Sequence, residues 1–383
     1  MSVSVWLSAN TLHYPQGGGH MWVFLNWALG LRELGCDVVW LEGIVKGGWT
    51  PGHVDVSRRL AELKARLAPY GFSDRIALWS DDDQLVPRRV AEQCIGLEAA
   101  GDADLLVNLN YRTPAAVIER FRRSALIDID PGLLQTWLSD RSYNFAIPPH
   151  DMLFTIGETV GQPDTRIPDL GIEWHYTPPC VALSWWPPVP TTETAPLTTV
   201  SHWVSGDWLR DGTGHLWSNE KRTGFMPYLH LPRHTSQILE LALQLRPEDK
   251  ADRTLLREHG WRVQEAWTVA GTPWEYQAYV RQSLGEFSCV KPSCVRLQNA
   301  WISDRTLCYL ASGKPAIVEH TGPSRFLPDR AGLLRFRDFE TALECLEAVS
   351  TDYSKHSRLA RSLADEYFDA KNVIKHLLER ALS

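Results

Sequence analysis

The sequence predicts an α/β protein of two doubly wound, Rossmann-like domains facing a cleft, and three observations carry that expectation. Segments that read as strands alternate with segments that read as helices through both halves, the pattern of parallel sheets covered by helices. A proline-dense stretch, Tyr176-Thr-Pro-Pro and then Trp185-Trp-Pro-Pro-Val-Pro, interrupts the alternation near the middle, where regular structure is hardest to continue. The chain has 383 residues and 44% hydrophobic content, enough to bury two cores of ordinary size. These observations place an N-terminal domain at 1–180, a proline-rich linker at 181–198 and a C-terminal domain at 199–383.

The chain opens with a strand, Val3 to Ala9, and a loop that runs to Gly17, Gly18 and Gly19. A helix starts near His20, with Val23, Trp27, Leu31 and Leu34 at helical spacing; Gly35 ends it and Cys36 to Leu41 forms the next strand. This βαβ unit lacks the G-x-G-x-x-G fingerprint, so no nicotinamide cofactor is indicated. The three glycines read either as a permissive turn or as backbone approaching a substrate across the cleft. Val56 to Leu67 reads as amphipathic helix and Arg75 to Trp79 as strand. Ser80-Asp81-Asp82-Asp83 reads as a solvated loop without a role.

Leu105 to Leu109 reads as a strand, Pro114 to Arg122 as a helix, and Ala125 to Ile129 as a strand that ends in Asp130-Pro131-Gly132; Met152 to Ile156 is another strand. In the second half the expected elements are strand Val200 to Val204, helix Thr235 to Leu245, strand Trp261 to Glu265 and helix Trp274 to Ser283. The stretch Ser357 to Leu382 is strongly helical.

Gly285 to Phe336 is the stretch around which the rest is organised. Ser303 reads as a helix N-cap, Tyr309 to Ala311 carries the helix, Gly313 stops it, and Pro315 to Val318 is a buried parallel strand. Backbone N–H groups of that first turn, beside Ser303, Arg305 and Thr306, suit a phosphate or diphosphate where the helix dipole is positive. Lys291, at a strand end, offers a point charge that complements the planar fork of Arg305; an ion pair on the surface is the competing reading for either. Asp304 would repel a phosphate if it pointed inward, so capping N–H groups or binding sugar hydroxyls suits it better.

Leu307-Cys308-Tyr309-Leu310-Ala311-Ser312-Gly313-Lys314-Pro315-Ala316-Ile317-Val318 resembles the helix and strand that present a diphosphate site in glycosyltransferases of the GT-B fold. The resemblance is close over this segment and architectural elsewhere. It implies two Rossmann-like domains, with the last helix crossing back to the first. The activity implied is metal-independent transfer of a sugar from a nucleotide-diphosphate sugar to a small-molecule or glycan acceptor, the nucleotide sugar being a co-substrate and no cofactor being needed. His320, Thr321 and Gly322 fall where the family contacts the donor sugar or its phosphates. The family's ribose-binding Glu falls on Cys308, and Glu319 is the candidate substitute. In inverting members a His in a Gly-His pair after the first strand is the catalytic base, and Gly19-His20 matches; His13 is a weaker rival. A helix N-terminus keeps such a histidine neutral. Asp128 and Asp130, at a strand end, are candidates to orient His20, against a reading in which Asp128 bonds local backbone and Asp130 caps a turn.

Net charge is −7 and no basic run occurs, which disfavours nucleic acid or an anionic membrane as the main partner. The seven cysteines form no CxxC and, with an N-terminus unlike a signal peptide, lead to the expectation of a reducing cytoplasm. Most of the 17 tryptophans read as core. Two other functions stay open on this scaffold: a nucleotide-sugar epimerase and a non-catalytic nucleotide-sugar-binding module.

Overall fold

Two parallel sheets carry the architecture. The computed structural model describes residues 2–14, 16–45, 55–81, 86–143, 145–192, 194–206, 208–210, 214–328 and 332–383; Asp82 and Asp83 of the acidic triplet lie outside them. The first half runs β1 (Ser4–Ser8), α1 (Gly18–Glu33), β2 (Asp37–Ile44), α2 (Val56–Leu67), β3 (Ile76–Ser80), α3 (Arg88–Ala91), β4 (Leu105–Asn108), α4 (Ala115–Ile118), β5 (Ser124–Asp128), α5 (Leu133–Ser139), β6 (Met152–Thr155) and β7 (His175–Tyr176). The strands pair in the order β3-β2-β1-β4-β5-β6-β7, all parallel.

The second half runs β8 (Leu197–His202), β9 (Trp208–Arg210), β10 (Leu216–Ser218), α6 (Lys221–Phe225), β11 (Leu239–Gln244), α7 (Lys250–Glu258), β12 (Arg262–Glu265), α8 (Ala266–Ala270), α9 (Pro273–Gln282), β13 (Gly285–Ser288), α10 (Pro292–Leu297), α11 (Asp304–Ala311), β14 (Ala316–Glu319), β15 (Leu333–Phe336), α12 (Phe339–Thr351), α13 (Tyr353–Tyr367) and α14 (Ala370–Ala381). Its parallel sheet has the order β12-β11-β8-β13-β14-β15, and β9 with β10 forms a separate antiparallel hairpin. In each sheet the winding reverses beside the first strand of that half, between β1 and β4 and between β8 and β13. Ligands of open α/β sheets bind at such points, outside the carboxyl ends of the strands.

Helix α1 is buried almost all round, including Met21, Trp22, Phe24, Leu25, Trp27, Leu29 and Leu31. A helix apolar on every face has to lie inside the molecule, and α1 packs against α9, α11 and α14. Gly30 permits the approach to α14, since a Cβ there would meet the side chains of Ile374 and Ala370. Among the described residues no helix is long and apolar enough to cross a membrane.

Three expected elements differ. Thr235 to Leu245 is not a helix: its centre is β11, with Leu239, Leu241 and Leu243 buried. Leu, Glu, Ala and Gln favour helix in isolation, but burial between β8 and β12 overrides local preference. The helix expected over Pro114 to Arg122 is only α4, Ala115–Ile118. Ser357 to Leu382 is two helices, because Asp369 caps α14 by accepting from the Lys371 N–H and so begins a new helix.

Candidate functional site

The loop after β1 is held from beneath by Glu42, a fully buried carboxylate on β2. It accepts from the N–H groups of Thr11 (2.9 Å) and Leu12 (3.2 Å), from the Trp40 indole (2.9 Å) and from the Thr11 hydroxyl. Burial pushes the Glu42 carboxyl up, and those donors pull it back. An acid inside the apolar run Val38-Val39-Trp40-Leu41 was the available sequence signal, because a buried charge requires partners.

The loop reaches the other sheet. Tyr14 donates its hydroxyl proton to Gln244 at the end of β11, and its ring lies 5.4 Å from that of His202 at the end of β8. His20 lies behind Tyr14, the ring centroids 5.6 Å apart, and against Phe24 at 5.2 Å. The Nε2 of His20 is 2.7 Å from the carbonyl oxygen of Asn10. A carbonyl only accepts, so Nε2 carries the proton and Nδ1 the free lone pair. Burial lowers the pKa of His20, with the Asn10 bond opposing. His13 donates from Nε2 to the Gly43 carbonyl at 2.9 Å, and its buried Nδ1 has no hydrogen-bond partner.

Asp128 and Asp130 do not orient His20. The buried Asp128 carboxylate accepts from Tyr111 (3.0 Å), Gln135 (2.9 Å), Thr155 (2.8 Å) and the Asp130 N–H (3.0 Å). It fixes the turn after β5. Desolvation pushes it up to about 6, against the Gln135 and Thr155 bonds. Asp130 is exposed at that turn, its carbonyl accepting from Leu133 and Leu134. Short polar side chains at a strand end look alike in sequence whether they serve a ligand or a turn.

The glycines do not approach an open cleft either. Gly17 precedes α1, and a Cβ on Gly18 would collide with the carbonyl oxygens of Thr272 and Ala270, and one on Gly19 with the Tyr276 ring. Glycine lets the start of α1 meet the α8–α9 turn of the other half. Trp22 continues the contact through its indole N–H to the Pro273 carbonyl, 2.8 Å. Gly18→Ala should therefore lower the melting temperature, because backbone carbonyls cannot move aside as a side chain can; overpacking of this kind costs about 1–3 kcal/mol. A thermal melt of the purified variant checks it.

At the carboxyl edge of the second sheet the expected helix start is present. Ser303 caps α11, its hydroxyl accepting from the Arg305 N–H at 3.3 Å. Ser303, Arg305, Thr306, Trp301, Ser288 and Glu319 help to line a small recess in front of it. Glu319 accepts from the Val290 N–H at 2.9 Å, and burial pushes its carboxyl up while Lys221 pulls it down. Asp304, in the first turn, is pushed up to about 6 by burial; Arg305 lowers it, and Glu286 and Asp130 add to the rise.

Arg305 points inward. Its Nε donates to Glu286 (2.7 Å), one terminal nitrogen to the Ser288 hydroxyl (2.6 Å) and the other to the Val200 carbonyl (3.1 Å). It lines the recess, as expected from sequence, and its guanidinium is at the same time a strut between β8 and β13. A second cation, Lys221, which sequence reading did not single out, lies close to Arg305 and Glu319. It donates from Nζ to the Cys289 carbonyl at 2.6 Å, and desolvation, then Arg305, lowers it to about 8. Lys291 sits instead at the N-cap position of α10.

After β14, His320 meets Arg337, 2.7 Å from its Nε2, and accepts the Gly322 N–H at Nδ1. Thr321 donates to the Trp301 carbonyl at 2.7 Å, and Gly322, at φ +134°, approaches Gln298 so closely that a Cβ would strike its carbonyl. These residues brace the loop before α11. Cys308 is buried against α1, where the Asn26 amide lies 3.9 Å from its sulfur. That helix position therefore faces the other half instead of the recess, which leaves Glu319 as the acid on the recess wall.

The sequence matches no protein-family model and no curated protein. Solved structures do match along the whole chain. The chain is similar to an alpha-glucosyltransferase bound to UDP and a 13-mer DNA, with 10% identity over 100% of both chains and a TM-score of 0.61. It is similar to sucrose-phosphate synthase from Thermosynechococcus elongatus, with 11% identity over 99% of this chain and 98% of that one and a TM-score of 0.57. It is also similar to HepE of Anabaena in complex with UDP and glucose, with 9% identity over 99% of each chain and a TM-score of 0.54. Two parallel doubly wound sheets, their carboxyl edges bridged by the loop after β1, together with these matches give the chain the GT-B fold.

Proposed function

We propose that this protein is a glycosyltransferase that moves a sugar from a nucleotide-diphosphate sugar to a hydroxyl of a small-molecule or glycan acceptor. The observation that carries this is the recess at the Ser303 cap, lined by the first turn of α11 and by Arg305 at the carboxyl edge, with Lys221 close behind Arg305. Such an edge suits a diphosphate. The similar structures that hold UDP make UDP the first nucleotide to try. One of them also holds DNA, but a net charge of −7 argues against a nucleic acid acceptor here.

The acceptor oxygen would form a bond to the anomeric carbon as the bond from that carbon to the diphosphate oxygen breaks. Charge growing on the departing diphosphate is what α11 and Lys221 stabilise. The hydroxyl proton passes to His20 Nδ1, the nitrogen that the Asn10 contact leaves unprotonated, and the product is inverted. Asp304, in the first turn of α11, would accept from sugar hydroxyls.

The test is thermal stabilisation by UDP, GDP, dTDP and ADP, followed by turnover with the matching sugar donors. Stabilisation by none of them would defeat the proposal. His20→Ala should keep the nucleotide-induced shift and lower kcat by about 10²–10⁴, the usual worth of a general base. An unaffected kcat would leave a binding module or a different base. Because burial lowers the pKa of His20 below 6.5, the wild-type rate should hold through neutral pH. It should fall only on acidification past the ordinary histidine range, as Nδ1 becomes protonated.

A further inference from the structure

The first half also grips two loops of the second, the loop after β14 and the loop before α11, and one carboxylate holds the former. Glu158, just beyond β6, is 2% exposed. Its oxygens accept from the Ser324 hydroxyl at 2.6 Å, from the Arg325 N–H and from Arg325 Nε at 3.3 Å, while the Glu158 carbonyl accepts from the same guanidinium at 3.2 Å. Ser324 and Arg325, both of the second half, thus hold this carboxylate. Gln162 takes a further N–H of Arg325 at 3.2 Å, and Phe326 stacks on Tyr176 with centroids 5.7 Å apart and planes 4° from parallel.

The loop before α11 is held in the same way. Asn299 donates to the Pro131 carbonyl at 2.8 Å, and Thr159, next to Glu158, donates to the Gln298 carbonyl at 3.1 Å. Gln298 and Ala300 have φ of 50° and 53°, left-handed conformations that cost non-glycine residues energy and persist only where the surroundings impose them. Their surroundings are the first half on one side and Thr321 and Gly322 on the other. Neither loop keeps its contacts if the two sheets separate.

We propose that Glu158 is a positioning residue for the nucleotide-diphosphate site: by clasping Ser324 and Arg325 it holds the two halves closed at this edge and sets the loop after β14 and, through Thr321, the loop before α11. It touches neither nucleotide nor acceptor and acts through those loops. Opening the cleft leaves the Glu158 carboxylate solvated and the strained 298–300 turn unsupported, so closure and the formed diphosphate site are one event. This assignment rests on the nucleotide reading above for its effect on binding, while its effect on closure stands apart from that reading.

The experiment uses the full chain and its Glu158→Ala, Glu158→Gln, Arg325→Ala and Glu158→Ala/Arg325→Ala variants. Small-angle scattering without ligand reports closure, and calorimetric titration with UDP, GDP, dTDP and ADP reports the site. Glu158→Ala and Arg325→Ala should each enlarge the radius of gyration and weaken the nucleotide that binds by about tenfold. The double variant should be no weaker than the worse single one, as members of one clasp are not additive. Glu158→Gln, which still accepts from Ser324, should recover part of the affinity, and KM for the donor should rise more than kcat falls. Arg325 is half-exposed, so its variant answers the question even if Glu158→Ala fails to fold. An unchanged radius with unchanged affinity, or additive losses, would overturn the proposal. If the wild type binds none of the nucleotides, the transferase reading fails, while the scattering comparison still decides the clasp.

Discussion

Lys221→Met should weaken nucleotide binding by about 10- to 100-fold, the worth of a charged hydrogen bond, and raise the melting temperature of the ligand-free protein at pH 7. The two effects have one cause. Lys221 keeps a partly buried ammonium near Arg305 with a carbonyl as its hydrogen-bond partner, an arrangement that favours an anionic ligand and disfavours the folded state. Burial and Arg305 lower its pKa to about 8, against about 10.4 in an unfolded chain. Below pH 8 both states are protonated and the penalty is complete. Between about 8 and 10.4 the unfolded chain holds a proton that the folded one has lost, so wild-type stability rises relative to the variant and the variant's advantage shrinks. Nucleotide affinity of the wild type should fall over the same rise, as the ammonium is lost. Thermal melts at pH 7 and pH 10, with titrations at both, check the pair of signs. A variant less stable than wild type at pH 7 would show that Lys221 is structural.

Arg305→Ala should cost about 3–5 kcal/mol, as breaking one side of a buried ion pair does. That is a fall in melting temperature on the order of 10 °C. Glu286 is fully buried, with one oxygen on Arg305 and the other without a hydrogen-bond partner, so the truncation strands a charge between β8 and β13. Removing both charges, as in Arg305→Met with Glu286→Leu, should recover most of the loss. Denaturant unfolding of both variants beside the wild type measures it, and a melting temperature unchanged by Arg305→Ala would contradict the strut. Loss of nucleotide binding in Arg305→Ala alone therefore reports a distorted sheet edge as much as a lost contact.

What the sequence showed best was local. Ser303 before a helical run, Gly313 after it and the apolar strand that follows are signals made by adjacent residues, and α11 and β14 form where those signals lie. The alternation of strands and helices gave the class for the same reason. The site was less legible because its parts meet only on folding. Lys221 comes near Arg305 and Glu319 from a helix far upstream of Ser303, and Gly18 is required by carbonyls at Ala270 and Thr272. The recess does include Arg305, but its role as a strut was not legible, because a guanidinium in a first helical turn looks the same whether it turns toward solvent or toward Glu286. β11 misled because Leu239 to Gln244 contains good helix formers whose burial between two strands decided otherwise.

Helix α1 takes its outer wall from α14, which follows every other element in the chain. Until α14 has been made, Gly30 and its apolar neighbours have no cover, so the N-terminal sheet emerges from the ribosome before the surface that completes it. The order of synthesis and the order of assembly therefore differ: the first half has to wait, exposed and open to chaperones, for the end of the second.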